Sequence, residues 1–403
     1  MLSAYRQVLA TPGSAAFCLA GALARLPASM AGLGIVLLVE LRTGSYGTAG
    51  AVSAAYVVTS GVAGPAIARL ADRLGQAPVL RAASLLFSSG MVAFLVVVES
   101  GAPEWTYYVT AAVAGTGAPQ AGAMVRARWT HALRGRPGLD TAFALEAVVD
   151  EVVFIAGPVL VTVLTLQVHE TAGLALPVVA ALVGSWALAA QHGTAPPPAP
   201  HVAGTARAPM GWALLGPMVA AAAGIGVVFG AIEVVVVAFT DEAGQPGAAG
   251  VVLAVFSGGS LLAGLAVGAF LNAADPLRRL RVTTVLMALL VVPALFSPGV
   301  VALSVAMLLL GLMVSPTLIA AVSLVERHVA PTRLTEGITW TMTGMAAGTA
   351  LGAALSGRVV DAHTAATGFV VPLGAAVVTA ALAWLAKEPA RRTDRLPDVS
   401  PQG

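Results

Sequence analysis

The stretch TAFALEAVVDEVVFIAGPVLVTVLTL, residues 141–166, decides how the rest of this 403-residue chain is read. It is long and apolar enough to cross a bilayer as a helix, which takes about 20 residues. Yet it carries Glu146, Asp150 and Glu151, and a charge at the centre of a membrane helix costs at least about 2.5–3.5 kcal/mol. Acids persist in such a segment when they face protein or a water-filled cavity. Glu146 and Asp150, four residues apart, share one helix face, and Glu151 is turned about 100° from Asp150. Crowded on a surface of low dielectric, such carboxyls are suited to take up and release a proton.

The surroundings agree with a membrane setting. The chain is 58% hydrophobic and 10% charged, against about 25% charged in soluble domains. Hydropathy predicts twelve spanning helices, at residues 14–40, 47–68, 78–98, 105–125, 141–166, 171–191, 213–239, 247–270, 281–297, 299–325, 337–357 and 366–386. The expected fold is therefore all-α, with an N-terminal bundle at 1–191, a linker at 192–211, a second bundle at 212–387 and a tail at 388–403. The linker is rich in Pro, Gly and His, which cannot continue a helix.

Positive charge is retained on the cytoplasmic side. With the N-terminus inside, every Lys and Arg of the 21 lies in a cytoplasmic segment except Arg25, within span 1, and Arg42 and Arg358, outside. Both termini are thus expected in the cytoplasm of a cell whose plasma or inner membrane holds the protein. The net charge of +2 follows from this bias and implies no nucleic-acid partner. Tyr46, Trp105, Tyr107, Tyr108, Trp129, Trp212 and Trp384 fall where spans end, as interfacial anchors do. One cysteine, Cys18, excludes an internal disulfide.

The halves repeat. Pro119 and Pro316 are 197 residues apart, as are His131 and His328; residues 32–41 resemble 230–239, and Gly157 aligns with Gly352 when Leu139 is set on Leu334. A duplicated six-helix unit places its binding site near the midplane between the halves. In that alignment Glu146, Asp150 and Glu151 face Thr341, Met345 and Ala346, so the acids belong to the N-terminal half alone.

With twelve spans, a six-plus-six repeat and a mid-chain linker, the chain resembles the major facilitator superfamily. Residues 68–77, ARLADRLGQA, are similar to its G-x-L-A-D-R-x-G-R-R signature between helices 2 and 3. The Leu-Ala-Asp-Arg-x-Gly core is present, while Ala68 replaces the first Gly and the terminal basic pair is absent. The resemblance implies that Asp72, Arg73 and Gly75 form a conformational latch at the cytoplasmic end. Gly157-Pro158 resembles the centre of the antiporter motif G-x-x-x-G-P-x-x-G-G, though Val153, Val161 and Thr162 stand in its other glycine positions. The pair also reads physically as a helix kink, since Pro removes a backbone donor and Gly permits close approach.

Arg25 and Asp150 lie at similar depths in spans 1 and 5, helices that neighbour each other in this superfamily. Arg25 is expected to pair with Glu146 or Asp150, leaving Asp150 or Glu151 to carry a coupling proton; the alternative is an ion-paired set that fixes helix packing. Glu233 in span 7 either binds a cationic substrate, serves as another proton site or makes a structural contact. Glu336 reads as an anion at a helix N-terminus. Only one Asn is present, which disfavours a sugar site. Tyr56, Gln120, Trp340 and Thr343, with Thr116, Ser257, Ser315 and Thr339, are expected to line an apolar cavity with Glu233.

The one lysine, Lys387, is followed by Glu388, so no phosphate loop exists to drive an ATP-powered pump. The six histidines lack ligand spacing, so neither a metal nor a cofactor is expected. No nucleophile stands beside a positioned base as an enzyme would need. The function expected is proton-coupled efflux of a small amphipathic organic compound by a monomer in the lipid bilayer; the alternative is uptake or uniport of a small nutrient.

Overall fold

The computed structural model describes residues 2–134, 138–198, 212–270, 275–328 and 334–385. Among them every regular element is helical: α1 (Leu2–Leu9), α2 (Ser14–Thr43), α3 (Tyr46–Leu74), α4 (Gln76–Glu99), α5 (Trp105–Thr116), α6 (Ala121–Ala132), α7 (Leu139–Val163), α8 (Ala172–Ala190), α9 (Trp212–Glu242), α10 (Ala249–Phe270), α11 (Pro276–Leu295), α12 (Val300–His328), α13 (Leu334–Ala362), α14 (Ala365–Gly368) and α15 (Val370–Leu385). Local chemistry sets the boundaries. Gly44 ends α2 with φ 66°, and the Ser45 side chain accepts the Thr48 N–H at 3.1 Å to begin α3. Asp275 caps α11, whose first residue is Pro276.

The predicted fourth span is not one helix. It breaks between Thr116 and Ala121, where Pro119 has no N–H to donate. Gly115, near the end of α5, and Gly117, which caps it, let the chain here approach the backbone of α3 at Tyr56 and of α4 at Phe87.

Nine helical segments among the described residues are long and apolar enough to cross a membrane. Helices α5 and α6 fall short in length, and α11 opens with Arg278, Arg279 and Arg281. The outer surface carries large apolar side chains, with Leu19 67%, Val62 65% and Val301 81% exposed. Water would penalise so apolar a surface, whereas lipid tails match it.

The packing repeats along the chain. α4 rests on α5 and α8, and α11 rests on α12 and α15; α2 meets α7 and α8, as α9 meets α13 and α15. The two sets join through α3 against α13 and α7 against α10. Glycine makes these crossings close: a Cβ on Gly50 would fall on the Ala353 carbonyl, one on Gly357 on the Tyr46 carbonyl, and one on Gly250 on the Pro158 carbonyl. All three contacts lie toward the end of the molecule that holds residues 43–46.

Two aspects of the charged and aromatic pattern differ from expectation. Arg128, counted among the loop cations, is fully buried and donates to Gln76 Oε1 at 2.8 Å, Thr194 Oγ1 at 2.7 Å and the Leu188 and Gln191 carbonyls. It thereby ties α6 to α4 and to the turn at His192–Thr194 that opens the linker. Trp129 is not an interfacial anchor but is wholly buried, edge-on to Phe17 with ring centroids 4.8 Å apart. Of the predicted linker only residues 192–198 are described; residues 199–211, the tail at 388–403 and the side chains of Glu336, Thr339 and His328 lie outside the described residues.

Candidate functional site

A cavity of about 690 Å³ lies between the two sets of helices, bounded by α2, α3, α6 and α7 on one side and α9, α10, α12 and α13 on the other. It reaches Ala68 and Ala123 toward the linker end. Away from the linker the helices seal. There Asp361, at the end of α13, accepts from Ser45 Oγ at 2.8 Å and from the backbone N–H groups of Tyr46 at 2.8 Å and Gly47 at 2.7 Å. A carboxylate from one half thus caps the α3 N-terminus of the other, where exposed N–H groups favour an anion.

The acids of α7 divide into a bound pair and a free one. Glu146 is fully buried. Its Oε1 accepts from Trp129 Nε1 at 2.8 Å and from the Cys18 thiol at 3.2 Å, and its Oε2 pairs with Arg25. One turn on, Asp150 Oδ1 accepts from Arg25 at 2.9 Å and Oδ2 from Arg126 at 2.6 Å. Two arginines therefore match two carboxylates. Arg25 takes both acids rather than one, because their four-residue spacing presents them on the same face to α2.

Glu151 is rotated out of that network and lines the cavity. Glu233 of α9 lines it from the opposite half. Among the described residues neither carboxylate has a hydrogen-bond or ion-pair partner. A Cβ built on Gly32 of α2 would lie 3.6 Å from Glu233 Oε2, which places the carboxylate at the junction of the halves.

Tyr56, Gln120 and Thr343 line the cavity, as do Ser257 and Ser315. Ser315 shares a hydrogen bond of 2.7 Å with Ser260. Trp340 does not belong to this wall: it is 42% exposed. Nine residues before Thr349, which does line the cavity, it points to the opposite face of a helix with 3.6 residues per turn. Thr116 likewise lies in a separate apolar groove with Ile67, Leu70 and Val79.

The other expected sites are placed as follows. Asp72 and Arg73 are exposed at the linker end and make no ion pair among the described residues, so the charge link implied by the resemblance is not formed in this conformation. Gly75 closes α3 with φ 88° and its N–H donates to the Ala71 carbonyl at 2.9 Å. Helix α7 runs through Gly157 and Pro158; the change of pitch comes later, in a π turn at Leu164–Val168. Gly157 brings α7 against Ser29 and Met30 of α2. Among the described residues no three His, Cys, Asp or Glu side chains are grouped to hold a metal ion.

Sequence reasoning missed Arg126, Trp129 and Cys18. Arg126, one of the cytoplasmic cations by its place in sequence, lies on α6, which packs against α7 and so brings its guanidinium to Asp150. The signal available was the proximity of an Arg and a Trp, three apart, to the start of an acid-bearing span.

The sequence model of the Major Facilitator Superfamily matches residues 17–302. No curated protein matches the sequence. Solved structures of similar fold include a mutant of the nucleoside transporter NupG, with 16% identity over 93% of this chain and 100% of that one and a TM-score of 0.71. The peptide transporter POT in complex with sulfate has 14% identity over 95% and 97%, with a TM-score of 0.71. A bacterial metal transporter has 14% identity over 93% and 99%, with a TM-score of 0.64. At these identities the likeness is one of fold.

Proposed function

The chain belongs to the major facilitator superfamily and is a multi-pass membrane transporter, not an enzyme; within that frame we propose that it is a proton-coupled antiporter that exports a small amphipathic organic compound. Twelve crossings in two six-helix halves, with both termini cytoplasmic, complete the proposed topology. The observation that carries the reading is the division of acids on α7. Asp150 and Glu146 have their charges met by Arg25 and Arg126, which leaves Glu151 free on the cavity wall to take and release the coupling proton.

The arrangement supports alternating access. The sealed end is the extracellular one in the proposed topology, and the cavity opens toward the cytoplasm. Rocking of the halves about the central site would break the Asp361 cap and bring the latch residues Asp72, Arg73 and Gly75 toward the other half. Protonation and substrate would favour different orientations, each shifting the equilibrium by no more than its differential affinity.

The wall chemistry supports the substrate class. Phe154, Phe229 and Phe256 supply apolar surface, while hydroxyls and one amide supply orientation, the pattern of a pocket for a drug-sized organic molecule. The test uses purified protein in liposomes with a trapped pH dye, challenged with lipophilic cations, neutral drugs and small nutrients. Proton flux evoked by an amphipathic compound and lost in Glu151→Gln supports the proposal. Flux evoked only by nutrients moving inward would favour uptake, and flux unchanged in Glu151→Gln would remove that residue from the coupling.

A further inference from the structure

Phe229 and Glu233 lie one turn apart on α9, and both face the cavity. Phe229 meets Phe256 of α10 edge-on, with ring centroids 5.5 Å apart and planes at 73°. Tyr56 adds a third aromatic wall from α3. The Glu233 carboxylate thus stands beside an aromatic corner, with no partner among the described residues.

The balance of charge around it is one-sided. Among the described residues no Lys, Arg or His lines the cavity. Arg25 and Arg126, which reach the lining residue Asp150, are committed to Glu146 and Asp150. An unmatched carboxylate in an apolar site is costly, so a ligand that supplies the opposite charge gains the interaction no protein group provides. Aromatic faces attract cations as well. The apolar remainder of the wall, with Leu33, Val314, Met342 and Met345, and a volume near 690 Å³ call for an organic body rather than a bare ion.

We propose that the transported compound is an organic cation whose charged centre docks between the Glu233 carboxylate and the Phe229–Phe256 corner. The inference rests on the transporter reading above and names its substrate class. A neutral compound leaves Glu233 unmatched, and an anion meets two unpaired carboxylates, Glu151 and Glu233, beside the paired Asp150.

The test is equilibrium binding to the purified full chain of three probes of similar size: tetraphenylphosphonium, triphenylphosphine oxide and tetraphenylborate. The cation is expected to bind far more tightly than the other two. Glu233→Gln is expected to weaken cation binding at least about ten-fold, since it removes the charge–charge attraction between carboxylate and cation, while Glu233→Asp weakens it less. Equal binding of the neutral or anionic probe, binding of none of the three, or unchanged cation affinity in Glu233→Gln overturns the proposal. The charge series uses the unaltered protein, so it decides even if the Gln variant does not fold. Proton coupling fails separately: cation binding without any cation-evoked proton flux would sink the coupling and leave this site standing.

Discussion

Gly47 donates its backbone N–H to Asp361 at 2.7 Å, a hydrogen bond between residues 314 positions apart that joins the two halves at the sealed end. The same carboxylate holds Tyr46 and Ser45, so one side chain caps a helix to which it has no local connection. Its removal is expected to weaken the seal by about 1 kcal/mol, the usual cost of a lost helix cap. In Asp361→Ala the population open at this end should rise about five-fold. Distances between spin labels at Thr43 and Ala366 would report it; an unchanged distribution would show that the cap does not hold the halves together.

Glycine geometry gives a stronger version of the same effect. A side chain at Gly50 collides with the Ala353 carbonyl, which is backbone and cannot rotate away. Gly50→Val is therefore expected to keep the 43–46 end open and to abolish net transport. A probe reacting with a cysteine placed at Val57 from that side should label the variant and spare the parent protein. Normal transport by Gly50→Val would contradict the closeness of this crossing.

Glu146 behaves as an anchor. With Trp129, Cys18 and Arg25 all directed at a fully buried carboxylate, removing Arg25 leaves that charge uncompensated. Arg25→Met is expected to destabilise the protein by about 3–5 kcal/mol, and Arg25→Met combined with Glu146→Leu to recover much of the loss. The only cysteine, Cys18, is buried against Glu146, so a thiol-reactive dye during a thermal ramp reads the opening of this site directly. Equal melting of the parent and Arg25→Met would reduce the anchor to a surface-like pair.

Much of this was legible in sequence because hydropathy and helical periodicity are local. The acid-bearing stretch at 141–166, the shared face of Glu146 and Asp150 and the exclusion of Glu151 from it all follow from 3.6 residues per turn. The residue offsets between the two parts of the chain pointed to a repeat, and the helix packing recurs along the chain in the same order. The partners of those acids were not legible. Arg126 and Trp129 sit on a short helix of mixed polarity after a chain break, where basic residues mark topology as readily as they mark ion pairs. Trp340 was assigned to the cavity by residue type, and only the rotation of α13 turns it away. Asp361 gave no sign of its role, since its three partners lie in the other half and a cap made across the molecule leaves no mark in neighbouring sequence.

The central claim is that Glu151 carries the proton while Asp150 holds the helices in place. Proteoliposomes loaded with tetraphenylphosphonium separate these roles, because exchange of labelled for unlabelled probe needs no net proton movement whereas uphill movement driven by a pH gradient does. The account predicts that Glu151→Gln retains exchange and loses gradient-driven transport, and that Asp150→Asn, which strips Arg126 of its partner and Arg25 of one of its two, loses both. Gradient-driven transport that survives in Glu151→Gln would contradict it.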